Sequence, residues 1–154
     1  SAPFSIKSFT IWKLLLIAAF VLTAFAGTYA QTFTLKSNDI GGQFTKKQEF
    51  NGFGCSGENI SPQLLWENAP EGTKSFAITV YDPDAPTGSG FWHWVVFDIP
   101  ANVKELKSGA GDLTKGLSPK GAIQSVTSYG AKGFGGACPP LVYCCIFAMV
   151  ALDF

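Results

Sequence analysis

The sequence has no arginine: its 11 basic residues are all lysines, set against 11 acids. That absence removes the planar guanidinium fork that grips phosphates and carboxylates in two-pronged fashion. Any anion site must therefore use backbone N–H groups, lysine or histidine. It also removes the basic face that nucleic acid requires, so nucleic acid is excluded as a partner. Histidine occurs once, at His93. A single imidazole and no Cys-x-x-Cys leave no ligand set for zinc, and no metal or other cofactor is expected. Gly-x-Ser-x-Gly is missing too, so no nucleophile motif stands beside the histidine and a hydrolase is the least supported activity. Thr87 and Ser89 are near in sequence but read as turn residues. No amphipathic helix, internal repeat or heptad appears after residue 30.

Acids are also absent from the first thirty residues. Lys7 and Lys13 precede an apolar run from Leu14 to about Ala26, which ends in small residues. Thr28 and Ala30 stand where a signal peptidase reads, so cleavage is expected between Ala30 and Gln31. The apolar run is short for a membrane span of about 20 residues. This predicts a signal segment at 1–30 and a single secreted or periplasmic domain at 31–154, long enough to hold a core. Taking Lys7 and Lys13 from the 11 lysines leaves nine against 11 acids, a mature balance of −2.

Four cysteines remain: Cys55, Cys138, Cys144 and Cys145. Export would place them where disulfides persist. Cys55 in "FGCSGEN" and Cys138 in "GGACPP" each lie in a Gly-rich loop and are the candidate bridged pair, although spacing alone does not fix connectivity. Cys144 and Cys145 sit in an apolar run and read as buried, unreactive thiols.

The mature part reads as strands and turns. "TFTLKS" (32–37) alternates, "FNGFGCSGENISP" (50–62) is a long loop, and "QLLWENAPEGTKSFAITVYD" (63–82) is strand, turn, strand. In the second of those strands Phe76, Ile78 and Val80 share one face. "FWHWVVFDI" (91–99) reads as a central strand with Phe91, His93, Val95, Phe97 and Ile99 on one face and Trp92, Trp94 and Val96 on the other. Residues 102–125 read as a polar surface segment, "GAKGFGGACPP" (130–140) as a Gly/Pro loop, and "LVYCCIFAMVALDF" (141–154) as a last apolar strand. Trp66 and Trp94 are expected in the core, and Glu58 and Asn59 as hydrogen-bonding residues of their loop. The fold class is all-β, sandwich-like.

The stretch "YDPDAPTGSGFWHWVVFDIP" (81–100) carries the chemistry. Pro83 and Pro86 stiffen the turn and hold Asp82 and Ala85 extended. If the flanking strands pair, His93 comes back towards Asp82, whose charge would favour the imidazolium. That predicts a small cationic spot in an aromatic pocket, suited to a phosphate or carboxylate.

The sequence resembles the phosphatidylethanolamine-binding protein (PEBP) family, also called Raf kinase inhibitor-like proteins, in its bacterial branch. The resemblance rests on "FGCSGENISPQLLW" (53–66), "TVYDPDAPTGSGFWHWVVFDIP" (79–100) and "GGACPP" (135–140), and it runs from about Phe33 to Asp153. It implies a PEBP-like β-sandwich with a large central antiparallel sheet, here C-terminally truncated relative to the family. It further implies an anion pocket with Asp82, His93, Trp92, Pro86, Gly136, Ala137, Cys138, Pro139 and Tyr143 as ligand-binding residues. In the family, "CPP" leads through polar residues to a strand opening His-x-Tyr. Here "LVYCCIFAMVALD" follows directly, so Tyr143 takes the place of that His and Cys145 that of the Tyr. The resulting expectation is a non-enzymatic exported binding protein for phosphate-like or other small anionic groups. The alternative is a protein that inhibits or regulates a protease or kinase. The apolar last strand also predicts self-association, as a homodimer.

Overall fold

A computed structural model describes residues 31–138 and 145–154. The signal segment at 1–30 and the residues Pro139, Tyr143 and Cys144 lie outside the described residues. Three antiparallel sheets make up what is described. The first holds β1 (Thr34–Lys36), β4 (Leu64–Glu67) and β7 (Glu105–Leu106), in the order β1-β4-β7. β2 (Asn51–Gly52) and β3 (Cys55–Ser56) form a small hairpin. The largest sheet runs β8 (Ile123–Gln124), β6 (Phe91–Pro100), β5 (Ser75–Asp82), β9 (Ile146–Leu152). One 3-10 turn, Leu113–Lys115, is capped by the Asp112 carboxylate, which accepts from the Thr114 N–H.

The core forms where the first sheet meets the largest. Period-two alternation puts Phe76, Ile78 and Val80 of β5 on one fully buried face, as the sequence pattern predicts. Leu64 and Trp66 of β4 meet them, with the Trp66 and Phe76 rings 5.3 Å apart and edge-on. Each such side chain, fully buried, contributes about 1.5–3 kcal/mol. Asp82, the last residue of β5, continues the same face beyond Val80 and is therefore buried at the end of the core.

β6 does not follow the expected alternation. Val80 pairs with Trp94 and Tyr81 with Trp92, so His93 is an extra residue, a β-bulge. A second irregularity lies opposite Ala77, where Phe97 and Asp98 face one residue and Asp98 adopts φ 53°. Trp94, Val96 and Ile99 are consequently the buried core residues of β6, whereas Val95 and Phe97, expected beside His93, are only half-buried.

The segment 102–125 is not confined to the surface. Leu106 and Ala110 are 1% exposed and belong to the core, and Gln124 is buried with them. Their two-residue strands and isolated apolar positions carry no periodicity to read. Gln124 has a specific role: its Oε1 accepts from the Trp94 indole N–H at 2.8 Å, and its Nε2 donates to the Ala110 carbonyl at 2.8 Å. Gln124→Ala strands both partners away from water and should cost about 1–3 kcal/mol in urea unfolding. A loss below about 0.5 kcal/mol would mean that water replaces the amide.

The expected last strand is present as β9, at the edge of the largest sheet and paired with β5 from Ser75 to Tyr81. Phe147, Met149 and Ala151 pack on the core, while Ile146 and Val150 on the other face are exposed.

Candidate functional site

The Asp82–Gly90 segment joins β5 to β6 as a braced turn. The Asp82 carboxylate accepts from the Asp84 N–H at 2.9 Å, and the Thr87 hydroxyl donates to the Gly90 carbonyl at 2.6 Å. The Tyr81 hydroxyl donates to the Ser89 carbonyl at 2.8 Å, and any side chain at Gly90 would overlap that phenol. Asp82 is buried beneath this turn, whereas Pro86 lies exposed upon it.

The bulge turns His93 inward, where it is 4% exposed. Its ring is held by the Gly135 carbonyl, 2.8 Å from Nδ1, and its own carbonyl accepts from the Gly135 N–H at 2.9 Å. No hydrogen bond joins it to Asp82. The orienting group expected from sequence is thus replaced by a loop carbonyl. Phe91 and Tyr129 flank the imidazole, with ring centroids at 5.1 and 5.9 Å. Nε2 is buried and has no hydrogen-bond partner among the described residues. Burial pushes the His93 pKa below its ordinary 6.5, and it outweighs the Gly135 carbonyl, the charge of Asp82 and the Gly136 carbonyl, which pull the other way. The expected cationic spot is therefore a neutral imidazole near pH 7. It carries its proton on Nδ1, because that nitrogen faces a carbonyl.

The wall behind this ring is the Gly-rich loop. Gly133 to Ala137 are buried. A Cβ at Gly136 would overlap the Gln48 carbonyl, so only glycine fits that approach. The Gly136 N–H, expected to face a ligand, instead donates to Asn59 Oδ1 at 2.7 Å, and the Gly136 carbonyl accepts from the Tyr129 hydroxyl at 2.5 Å. The Ala137 carbonyl accepts from the Phe50 N–H at 2.9 Å. A disulfide joins Cys55 on β3 to Cys138 at the end of the loop. The segment 50–62, read as one loop, thus holds the β2–β3 hairpin and is tied three times to the wall of the site.

Of the residues expected to line the site, the structure brings together Asp82, His93, Gly136 and Ala137, and it adds Gly135 through its bond to the imidazole. Trp92 goes elsewhere: it packs on Tyr81 at 4.5 Å and is 43% exposed, and Phe91 takes the place beside the imidazole. Sequence reasoning missed Tyr129, Phe50 and the anchoring role of Asn59. A Tyr followed by Gly just upstream of the Gly-rich loop was the available signal for the first.

Residues 40–144 match the sequence profile of the phosphatidylethanolamine-binding protein family. The chain belongs to that family. The PEBP relatives include YbcL of Escherichia coli K12, 50% identical over 130 residues that cover 83% of this chain and 71% of YbcL. YbhB of the same organism is 47% identical over 123 residues, 77% of each chain. The crystal structure of E. coli YbcL, described as a new member of the mammalian PEBP family, matches with a TM-score of 0.75 over 80% of this chain and 79% of that one. A PEBP homologue from Chlamydia trachomatis matches with a TM-score of 0.63 at 28% identity, over 80% of this chain and 76% of that one. The all-β, antiparallel architecture described above is thus the PEBP fold.

In this PEBP domain the buried histidine also shapes the response to acid. With the folded-state pKa below 6.5 and the unfolded value near 6.5, the unfolded chain takes up the proton first as pH falls. The His93 contribution is intact above about pH 6.5 and is lost as pH drops towards the folded pKa. Asp39 acts later, since the Gln63 N–H holds its carboxyl below 3.8, helped by Ser108 and Lys47. The thermal midpoint should therefore start to fall just below pH 6.5, well before the carboxylates titrate, and His93→Asn should delay that fall to about pH 4. A wild-type midpoint flat between pH 6.5 and 5 would contradict the burial argument.

Proposed function

We propose that this protein is a non-enzymatic, exported binding protein for phosphate-like or other small anionic groups, with His93 as the recognition residue and Asp82 beside it. The observation that carries the reading is the buried Nε2 of His93, which has no hydrogen-bond partner among the described residues. A buried polar atom without a partner costs about 1–3 kcal/mol, and a ligand that supplies the partner recovers this. With the proton on Nδ1, Nε2 presents a lone pair. A ligand P–OH donates to it directly; an oxyanion without a proton binds only once Nε2 itself is protonated. The charge of Asp82 favours that protonation and disfavours a fully ionised ligand, so a singly protonated phosphate group suits both residues.

Membership of the PEBP family agrees with a binding role. A non-enzymatic reading is supported by the environment of Nε2, which among the described residues accepts no hydrogen bond from a Ser, Thr or Cys that it could activate. Export is supported by the pattern of residues 1–30 together with the Cys55–Cys138 disulfide, a bond that persists in oxidising compartments.

The test is an NMR titration of the purified protein with inorganic phosphate at pH 7.5, read on the imidazole carbon-bound protons. His93 is the sole histidine, so assignment is unambiguous. Saturable shifts are expected with phosphate at this pH, and a rise in the His93 pKa with sulfate. Unmoved signals at 50-fold excess over a millimolar Kd, on the order of what one such contact gives, would overturn the reading.

A further inference from the structure

A second cleft opens next to the first site, between the β2–β3 hairpin and residues 127–135, with a volume of about 530 Å³. Neither Asp82 nor His93 lines it. Phe50, Phe53, Asn59, Tyr129 and Lys132 do. Tyr129 divides the two: its ring stands edge-on to His93 and Phe91 and is stacked on Phe50 at 4.3 Å.

Phe53 is the residue that folding does not explain. Its side chain is exposed, at 78% for the residue, and its backbone is left-handed, at φ 52°. With Gly54 at φ 89° it forms the two-residue turn of the β2–β3 hairpin. Asn, Asp or Gly suit such a position, and a bulky aromatic is disfavoured there. A strained residue that gains little burial points to use rather than stability. The disulfide at Cys55 and the Phe50–Ala137 hydrogen bond fix the hairpin that presents this ring. Phe53 is stacked with Tyr129 at 5.9 Å and tilted by 34° against Phe50, which is itself stacked on Tyr129, so the three rings form one aromatic cluster with the outermost ring, Phe53, exposed.

The charge of the cleft has one sign. Lys132 is the only charged residue among the described residues lining it, and it forms no ion pair with them. It is held in place by its bridge to Val126 and by the Thr127 N–H bond to the Ala131 carbonyl at 2.9 Å. Asn59 has committed its oxygen to Gly136, which leaves its Nδ2 as a donor. Flat rings, one ammonium and an amide donor, with no carboxylate to repel an anion, select a particular chemistry.

We propose that this cleft is a second ligand site, for a small planar aromatic ring bearing an acidic substituent. The ring lies on Phe53 and Phe50, and the acidic group meets Lys132 Nζ.

Naphthalene-2-sulfonate is the probe, titrated by NMR into the protein with saturating inorganic phosphate present, and 2-naphthol is its uncharged control. Phe53→Asn should weaken sulfonate binding roughly tenfold. Lys132→Gln should weaken it roughly fivefold and leave 2-naphthol unchanged. His93→Asn should leave sulfonate binding unchanged. Phe53→Asn should also raise the thermal midpoint, because Asn suits the left-handed turn better. Equal sulfonate affinity in wild type and Phe53→Asn would overturn the proposal. So would displacement by phosphate or loss in His93→Asn, either of which assigns the probe to the first site.

Discussion

Sulfate affinity should fall about tenfold for each unit of rising pH across a window beginning below pH 6.5. Sulfate brings no proton in this range, so Nε2 must first be protonated from solvent. Burial holds the free imidazole neutral near pH 7, and a bound anion raises its pKa. The complex therefore holds one proton more than the free protein between the two pKa values. Linkage then fixes the sign: binding tightens as pH falls, and the dependence ends below the free pKa. Phosphate behaves differently, because its singly protonated dianion supplies the proton that Nε2 lacks. Its affinity should persist at pH 7.5, where that for sulfate is lost. His93→Asn should abolish the sulfate slope and weaken phosphate by about 30-fold or more, as expected when one member of a buried charged hydrogen bond is removed. Calorimetric titrations at pH 5, 6, 7 and 8 decide the matter. Parallel profiles for the two anions would show that His93 is not the proton acceptor.

Removing the Cys55–Cys138 disulfide should be the most destabilising change available outside the core. The bridge spans 83 residues of sequence. In the chain-entropy account, closing a loop of that length removes about 4.5 kcal/mol of unfolded-state freedom. That is a large share of the 5–15 kcal/mol typical of a folded domain. The double variant Cys55→Ser, Cys138→Ser should therefore unfold about 2 M earlier in urea, given a slope of about 2 kcal/mol per molar. A difference below about 1 kcal/mol would mean that residual structure restrains the unfolded chain without the bridge. Phosphate affinity should fall as well, because the Gly135 carbonyl that orients His93 lies on the tethered loop.

What the sequence disclosed, it disclosed through pattern. β5 alternates without interruption, and its core face was legible residue by residue. The proline-stiffened turn and the lone histidine marked the candidate site. Three features were hidden for physical reasons. Bulges have no periodic signature, so the inner face of β6 was misread at Val95 and Phe97. The protonation of His93 depends on competition between burial and charge, and only coordinates reveal the burial. Tyr129, Phe50 and Asn59 come together through contacts between residues far apart in sequence, Asn59 and Gly136 being 77 positions apart. No local window contains that information.

The two bulges of β6 have a joint consequence. Phe91 and Ile99 occupy the same side of the strand, as uninterrupted alternation would give, while Trp94 and Val96 between them are out of step. The extra residue at His93 shifts the pattern by one and the extra residue at Asp98 shifts it back, much as two single-base insertions can restore parity in a two-letter code. Neither shift is tolerable alone. Regularising the strand at His93 while keeping Asp98 would move either Phe91 or the Trp94–Ile99 group to the wrong side. The histidine at one end of this strand and the left-handed aspartate near the other are thus coupled through the register of the strand, even though only one of them lies at the candidate site.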